Sequence, residues 1–357
     1  MTEFRNILII QLGDIGDVVL TTPTIRAVKQ AHPGAPVSIL VREPFCSLLR
    51  ADPSLDEVIG LAKGDGSFFR KLREQLQFIR RLRQTRYDLV LHLRTGDRGA
   101  ILTLLTGARE RVGWGVGPGR NWKSLCFTQA IRNSPPGPPN VHPGANQSLR
   151  MVRAIGMDTA DSTPRLHVAP ADCKRAVELL AECGLAPAGP WVTINPFARW
   201  KYKEWDGGKW REVIDRLWNA HRLAAVLIGS REEAAACADI VAGREGRAFN
   251  LAGKTNLGEL AAVLSLSRLH LGVDSAAPHI AAAVGTPTVT IHGPTDWRAW
   301  RIADDQHRMV TPTMDCVPCN RKGCDDIGRS RCLEELDVAT VMKAVEEHLQ
   351  SRQQKQT

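Results

Sequence analysis

The chain has 357 residues, of which 43% are hydrophobic and 24% are charged, and its formal net charge at pH 7 is +9. This apolar content excludes a disordered chain, and no apolar run approaches the roughly 18 residues that a transmembrane helix needs. At roughly 100–200 residues per domain the length predicts two domains, and the positive charge favours anionic partners.

The N-terminal segment lacks the pattern of a secretory signal. Its apolar run from Ile7 to Leu12 is short, ends at Gly13-Asp14 and is followed by no small-residue cleavage site. We therefore expect an uncleaved cytoplasmic protein. In such a protein a disulfide framework is not expected for the five scattered cysteines, which are Cys46, Cys126, Cys173, Cys183 and Cys237.

The first half of the chain alternates predicted strands with predicted helices. Short continuous apolar runs that end at glycine or polar residues predict buried parallel strands. These strands are Ile7–Ile10, Val37–Val41 and Asp88–Leu93. The helical spacing of Val18, Ile25 and Val28 predicts one helix after the first strand, and a basic helix is predicted over Phe68–Arg86.

The second half repeats this alternation. Its predicted strands are Trp191–Asn195, Ala224–Ile228, Leu269–Val273 and Thr288–Ile291. Its predicted helices are Ala176–Ala181, Trp210–Asn219, Glu232–Val241, Leu257–Leu266 and Ala277–Val284. This alternation predicts an α/β fold of two similar halves with parallel sheets and a cleft between them. Ligands of such sheets bind outside the carboxyl ends of the strands, so the loops at those ends are candidate functional segments.

A proline- and glycine-rich segment, residues 133–144, is the clearest break in the pattern and predicts an exposed loop. The domain boundary is predicted later, with an N-terminal domain over residues 1–168 and a C-terminal domain over residues 169–357. The last predicted helix, at about residues 336–350, is a candidate to pack back on the N-terminal domain.

The loop after the first strand, Gly13-Asp14-Ile15-Gly16-Asp17, leads into a helix N-terminus. Its glycines allow a ligand to approach the backbone closely. Asp17 is interpreted either as a carboxylate base held at a cleft or as a residue that caps the helix. The loop is not a full Gly-x-Gly-x-x-Gly motif and does not support a dinucleotide site.

The segment from Gly272 to His279 places Asp274 and Ser275 between an apolar strand and a helix. Free backbone N–H groups at a helix start suit a phosphate. Asp274 suits ribose hydroxyls, and His279, one turn further on, is placed to contact a phosphate. The alternative is a capped helix with His279 in the core.

Basic residues follow the strand that ends at Asn195. Lys201 and Lys203 can neutralise a diphosphate as point charges, and Arg199 can add a forked contact. The alternative is a solvated charge cluster between packed tryptophans.

Taken in order, these motifs resemble those of the glycosyltransferase family 9 heptosyltransferases, and the match runs over nearly the whole chain. The motifs that carry the resemblance are Gly16-Asp17-Val18, Thr22-Pro23, Lys203-Glu204-Trp205, Asp274-Ser275-Ala276-x-x-His279, Gly285-Thr286-Pro287-Thr288 and Gly293-Pro294-Thr295. One departure is Ala276, where the family usually has glycine. The backbone N–H remains available there, but close approach of a phosphate is put in question.

The resemblance implies a GT-B fold, in which two Rossmann-like domains with parallel sheets face a cleft. It implies an inverting transferase that moves a heptose from ADP-heptose to an anionic lipopolysaccharide inner-core acceptor. It also implies a cytoplasmic enzyme that is peripheral at the inner membrane. No Asp-x-Asp pair occurs in the chain, so a divalent metal on the diphosphate is not indicated and no cofactor is expected for catalysis.

The resemblance also implies roles for single residues. Asp17 is the base that deprotonates the acceptor hydroxyl. Lys203 and the helix start at Ser275-Ala276 hold the departing diphosphate, and Thr255 lines the adenine pocket. The predicted donor-binding residues are Lys203, Arg199, Thr255, Asp274, Ser275, Ala276 and His279.

Four arginines are predicted to bind the acceptor. Arg94 and Arg98 follow the third predicted strand and are placed to reach acidic sugars inside the cleft. Arg70 and Arg73 lie on the helix Phe68–Arg86, which is interpreted as a basic rim for a lipid acceptor and an anionic membrane, or equally as a solvated helix surface. The apolar residues that share one face of this helix are Phe69, Leu72, Leu76 and Ile79.

Four cysteines cluster near the C terminus with the spacing Cys316-x2-Cys319-x4-Cys324-x7-Cys332. Four thiolates at short spacing can bind a structural zinc, although the second pair is not a second Cys-x-x-Cys. Paired or free structural cysteines are the alternative. The resemblance assigns the segment no catalytic role.

Other functions stay open on the sequence alone. One is a GT-B transferase that uses another nucleotide sugar, and another is a donor-binding protein without catalysis. A third is a basic nucleic-acid-binding α/β protein, against which the aromatic content of 5% and the motifs at strand ends argue. We therefore expect no nucleic-acid partner.

Overall fold

The computed structural model describes residues 4–64, 66–115, 122–133, 142–185, 189–300, 305–324 and 328–354. Most of the predicted loop at residues 133–144 lies outside these ranges. The chain divides into two compact units, Met1–His167 and Val168–Thr357, and each is built on a sheet of its own.

The first unit has a parallel sheet at its centre. Its strands are β1 (Ile7–Ile10), β2 (Val37–Arg42), β3 (Glu57–Leu61), β4 (Leu89–His92), β5 (Glu110–Trp114) and β6 (Gln129–Ile131). Its helices are α1 (Ile15–Val19), α2 (Thr22–Ala31), α3 (Phe68–Gln84), α4 (Asp97–Leu105) and α5 (Pro143–Arg153). The strand order is β3-β2-β1-β4-β5-β6, and Ile7 of β1 pairs with Val37 on one side and Leu89 on the other. This central position explains why all four residues of β1 are fully buried.

The second unit repeats this plan. Its strands are β7 (Trp191–Asn195), β8 (Ala224–Leu227), β9 (Ala248–Asn250), β10 (His270–Val273), β11 (Thr288–Ile291) and β12 (His307–Val310). Its helices are α6 (Pro170–Glu182), α7 (Gly207–His221), α8 (Ala234–Val241), α9 (Leu257–Leu266), α10 (Ala277–Ala283), α11 (Arg331–Glu335) and α12 (Val338–Gln354). The parallel order is β12-β11-β10-β7-β8-β9, so the first and fourth strands of each unit are neighbours. That is the doubly wound order, and its ligand-binding crevice lies where the loops after those two strands diverge.

The C-terminal helix α12 belongs to the core of the second unit. It packs against α7, β11 and β12. Its buried apolar residues are Val338, Val341, Met342, Val345 and Leu349. Their spacing of three or four residues places them on one helix face. The helix that was a candidate to pack on the N-terminal domain therefore places its apolar side chains in the core of the second unit.

The structure corrects one predicted helix. The single helix expected after the first strand is two helices, α1 and α2, and Thr21 is the N-cap of the second. Pro23 is the second residue of α2, where its missing N–H would have no partner in any case. The apolar spacing continues across the break, and for this reason the pattern predicted one helix.

Five strands were absent from the sequence-based expectation. They are β3, β5, β6, β9 and β12, and each has five residues or fewer. Four of them, β3, β6, β9 and β12, form the edges of the sheets, and β5 lies next to an edge. They carry polar residues such as Glu57 and Arg308. Strands of this kind lack the continuous apolar run by which a buried strand is recognised.

Among the residues described, no helix is both long enough and apolar enough to cross a membrane.

Candidate functional site

Asp17 lies in the first turn of α1, directly beyond the carboxyl end of β1. Its Oδ2 accepts the backbone N–H of Asp14 at 2.9 Å, and its Oδ1 accepts from Nη1 of Arg94 at 3.0 Å. A side chain on Gly13 would overlap the Asp17 carboxylate, so the loop needs glycine there. Asp17 thus makes the capping contact that one interpretation predicted. Its second oxygen is held by Arg94, at the end of β4.

A buried amide holds the Asp17 loop in place. Gln11 is 1% exposed; its Oε1 accepts from the backbone N–H of Gly13 at 3.0 Å, and its Nε2 donates to Oγ1 of Thr21 at 2.7 Å. The Thr21 hydroxyl donates to the carbonyl of Asp17 at 2.7 Å. Sequence reasoning missed Gln11, although a polar residue directly after a buried apolar strand was the available signal.

The first unit contains a cavity of about 710 Å³ beside Asp17. Four cationic side chains line it, and three carboxylates accompany them. The cations are Arg42, Lys63, Arg94 and Arg98, and the carboxylates are Asp14, Asp17 and Asp97. Within the described parts of the chain, Lys63 and Arg98 form no ion pair, so these two charges are available to an anionic ligand.

Two of these cavity residues, Arg42 and Lys63, were not predicted from the sequence. Arg42 is the last residue of β2 and pairs with Asp14 at 3.3 Å. The rule that ligands bind at carboxyl ends of strands pointed to this position. Lys63 follows β3. Because this strand was not predicted, Lys63 was not recognised as a residue at a strand end.

The four predicted acceptor arginines do not come together. Arg94 and Arg98 line the cavity with Asp17, whereas Arg70 and Arg73 lie on an exposed part of α3 outside the residues that line it. Arg70 pairs instead with Glu74 at 3.1 Å, one helical turn along.

His92 ends β4 and lines the same cavity with only 1% of its surface exposed. Burial, reinforced by the positive charges of Lys123 and Arg94, lowers the pKa of His92 to about 4. The imidazole is therefore neutral at pH 7. Neither ring nitrogen has a hydrogen-bond partner among the described residues.

An ion pair occupies the matching place in the second unit. Nζ of Lys203 lies 2.7 Å from Oδ2 of Asp274, and the two side chains are 18% and 11% exposed. Lys203 lies in the 3₁₀ turn Lys201–Lys203 after β7, and Asp274 directly follows β10. The turn is anchored by Trp205, which is buried and donates its indole N–H to the carbonyl of Leu336 at 3.1 Å.

Two histidines face Asp274. Burial alone would raise the pKa of the Asp274 carboxyl, but positive charge on His292 and Lys203 outweighs it and holds that pKa below its usual range. Burial lowers the pKa of His279 to about 4 and also lowers the pKa of His292. The ion pair with Lys203 therefore stabilises the ionised form of Asp274.

The predicted phosphate segment follows Asp274. The hydroxyl of Ser275 donates to Oδ1 of Asn195 at 2.7 Å, which ties the ends of β10 and β7 together. Ala276 is the N-cap of α10 with φ −75° and ψ −28°, a right-handed conformation that any residue adopts. The backbone therefore does not require the glycine that the family usually has here.

Arg199 and Thr255 are the other two predicted donor-binding side chains. The Arg199 guanidinium is exposed and lies over the ring of Trp200, 5.4 Å from its centroid. Thr255 follows β9 and immediately precedes Asn256, the N-cap of α9. The structure brings together Lys203, Asp274, Ser275 and His279.

The four clustered cysteines lie near one another. Burial, and then the neighbouring thiols of Cys324, Cys316 and Cys319, raises the pKa of the Cys332 thiol to about 11. In the parts of the chain described, no group of three or more His, Cys, Asp or Glu side chains is arranged to hold a metal ion. The structural zinc stays a prediction, which a metal analysis giving about one zinc per chain would support.

Comparison with known proteins identifies similar chains. The model of glycosyltransferase family 9 (heptosyltransferase) matches residues 75–327. Lipopolysaccharide heptosyltransferase 3 of Escherichia coli K12 is 31% identical over 292 residues, which cover 80% of this chain and 82% of the relative.

Two solved structures share the fold. A family 9 glycosyltransferase from Veillonella parvula superposes with a TM-score of 0.82 at 20% identity, over 98% of both chains. The ADP-heptose lipopolysaccharide heptosyltransferase II of E. coli superposes with a TM-score of 0.78 at 19% identity, over 98% of this chain and 99% of the other. These likenesses and the two parallel six-stranded sheets confirm the predicted α/β class and GT-B fold.

Proposed function

The chain belongs to glycosyltransferase family 9, and on that basis we propose that it transfers a heptose from ADP-heptose to an anionic sugar of a lipopolysaccharide inner core. The observation that carries the proposal is the Asp17 carboxylate beside a cavity lined by four cations. A base next to positive charge suits an acidic acceptor whose hydroxyl must lose a proton. Family membership does not favour the nucleic-acid-binding alternative.

The transfer we propose is a single displacement. Oδ1 of Asp17 takes the proton of the acceptor hydroxyl as that oxygen bonds to the anomeric carbon of the heptose. The bond from that carbon to the ADP oxygen breaks, and the configuration inverts because attack and departure occur on opposite faces. Arg94, bonded to the same carboxylate, holds it in a fixed orientation.

The departing ADP carries the electron pair of the broken bond. Lys203 and the backbone at Ser275-Ala276 are proposed to match its charge, which lowers the barrier to departure. Asp274 and His279 complete this donor site, with Arg199 and Thr255 toward its outer parts. We propose that turnover needs no bound cofactor.

A peripheral location on the cytoplasmic side of the inner membrane is part of the proposal. The support is that the relatives are lipopolysaccharide heptosyltransferases, together with the basic residues on the exposed helix α3.

The donor is tested by thermal unfolding with ADP, UDP, GDP and CMP, followed by turnover of ADP-heptose on an inner-core acceptor. A ligand present at 100 times its Kd adds roughly 2.7 kcal/mol of stability, so ADP is expected to raise the Tm most. Equal stabilisation by UDP would assign the chain to another nucleotide sugar. ADP binding without any turnover would support a binding protein instead.

A further inference from the structure

The N-terminal half of α3 is exposed on every side. Residues 68–77 are all solvent-exposed, and the chain first becomes partly buried at Phe78. The exposed fraction is 74% for Phe68, 81% for Phe69 and 58% for Leu76. Large apolar side chains scattered singly on a surface are ordinary, but several on one helix indicate an interaction site.

These apolar residues form one stripe. At about 100° per residue, Phe68, Phe69, Leu72 and Leu76 fall within an arc of roughly 100°. The helix meets the core of its own unit further along the chain and on the adjoining side, through Phe78 and Leu82. The fold therefore does not use the stripe.

Two neighbouring elements also carry exposed apolar residues. Helix α3 packs against α4, and α4 packs against the 3₁₀ turn Trp122–Cys126. We call the eight exposed apolar residues on these three elements the α3 apolar surface. They are Phe68, Phe69, Leu72, Leu76, Ile101, Leu104, Trp122 and Leu125.

The charge around this surface has one dominant sign. Helix α3 carries six basic residues and one acidic residue, Glu74. The basic residues are Arg70, Lys71, Arg73, Arg80, Arg81 and Arg83. Arg73 and Arg80 line the same shallow depression as Phe69, Leu72 and Leu76. Their long side chains can lie along apolar groups while the guanidinium reaches a phosphate.

We propose that the α3 apolar surface docks on an anionic phospholipid bilayer. The apolar stripe enters the boundary between head groups and acyl chains, and the flanking arginines bind lipid phosphates. A helix with aromatic and leucine residues on one face and arginines beside them has the composition of an interfacial membrane helix. A second copy of the chain fits less well, because a symmetric contact would bring two strongly basic helices together.

The α3 apolar surface lies largely on α3 and α4, which adjoin the Asp17 cavity along the chain. A role in delivering the acceptor follows from this position and rests on the proposed function. Lys63 lines the Asp17 cavity, and α3 begins five residues later, at Phe68. The loop that enters α4 also lines that cavity. A bilayer bound by these two helices would hold the chain at a surface that carries lipid-linked acceptors.

Vesicle sedimentation tests the proposal. The probes are phosphatidylcholine vesicles with and without roughly 30% phosphatidylglycerol, at low and high salt, since attraction to anionic lipid is screened by salt. The wild-type chain is expected to bind the anionic vesicles more tightly, and less so at high salt. The variant Phe68→Ser/Phe69→Ser/Leu72→Ser is expected to lose at least about tenfold in partitioning, because three apolar side chains no longer leave water.

The matched control removes exposed apolar side chains from the second unit. Val177 and Leu266 are each 41% exposed, and Val177→Ser/Leu266→Ser is expected to bind vesicles like the wild type. Equal loss in this control, or full binding by the triple variant, would overturn the proposal. A concentration-dependent dimer that the triple variant abolishes, without vesicle binding by the wild type, would overturn it in favour of self-association.

A second measurement separates this inference from the proposed function. Turnover on a soluble acceptor without acyl chains is expected to be unchanged in the triple variant, because none of its residues lines the Asp17 cavity. Vesicle binding by a chain that transfers no heptose would leave the docking surface supported and the proposed function refuted.

Discussion

The two units place an ion pair at the same point of the same topology, but with the charges exchanged. In the first unit the carboxylate follows the first strand and the cation follows the fourth, as Asp17 and Arg94 at 3.0 Å. In the second unit the cation follows the first strand and the carboxylate follows the fourth, as Lys203 and Asp274 at 2.7 Å. The shared strand order brings these loops together, and the sequence of each loop decides which charge it carries.

The pairs also differ in how open they are. Arg94 is 39% exposed and lines a cavity of about 710 Å³, whereas Lys203 is 18% exposed and its partner Asp274 lines a cavity of about 20 Å³. A cavity of that smaller size holds about one water molecule. The open pair leaves a carboxylate that a substrate hydroxyl can reach. In the enclosed pair, removal of either side chain would leave the other charge buried and unpaired, which is strongly unfavourable.

The largest expected effect follows Asp17→Asn, which removes the base and keeps the shape. The amide oxygen still accepts the N–H of Asp14, so the Tm and ADP binding are expected to stay nearly constant. Turnover is expected to fall by about 10²–10⁴-fold, or roughly 3–5 kcal/mol of barrier. The matched control is Asp14→Asn on the same loop, which caps α1 as well as aspartate does. Near-normal turnover in Asp17→Asn, with a loss in Asp14→Asn, would move the base to Asp14.

The sequence predicted both loops of each pair, because glycine, acidic and basic residues directly follow strands that are recognisable as continuous apolar runs. It could not predict that Lys203 pairs with Asp274, since 71 residues separate them and only the sheet order makes them neighbours. It also missed Lys63, because β3 is a short strand with Glu57 and Gly60 in it. Edge strands of this kind are stabilised by the sheet they join rather than by a pattern of their own.

The second prediction contrasts truncation of the two cations. Lys203→Ala leaves Asp274 enclosed and unpaired, and is expected to lower stability by about 2–4 kcal/mol and ADP affinity by about 10–100-fold. Arg94→Ala breaks the open pair and is expected to lower stability by less than about 1 kcal/mol. Thermal unfolding and ADP titration of both variants measure the difference. Equal losses of stability would show that the exposure of the two pairs does not govern their energetics.

A third test measures how the Tm depends on pH, which the buried imidazole of His92 is expected to influence. The pKa of His92 is about 4 in the folded chain, below its ordinary value of 6.5, so protonation favours the unfolded state. The stability that the neutral imidazole contributes is fully present above pH 6.5 and is lost as the pH falls toward 4. At pH 5 the loss amounts to about 2 kcal/mol of the free energy of unfolding. His92→Gln is expected to reduce the fall of the Tm between pH 7 and pH 5, while the exposed His167→Gln keeps the wild-type slope. An unchanged slope in His92→Gln would show that His92 does not titrate in this way.

The smallest expected effect concerns the small residue near each carboxylate, which is Gly13 in the first unit and Ala276 in the second. Gly13 in the first unit cannot carry a side chain, whereas Ala276 in the second carries one without backbone strain. Ala276→Gly is therefore expected to change stability by less than about 0.5 kcal/mol, because glycine caps a helix better than alanine but also loses more backbone entropy on folding. If the methyl group narrows the approach of a phosphate, ADP affinity rises by a few-fold, about 1 kcal/mol at most. Ala277→Gly is the control, since it is the first residue of α10 and is expected to lose at most about 1 kcal/mol of stability with no gain in affinity. A gain in both variants would trace the effect to looser backbone, and a loss of affinity in Ala276→Gly alone would show that the methyl group supports the bound diphosphate.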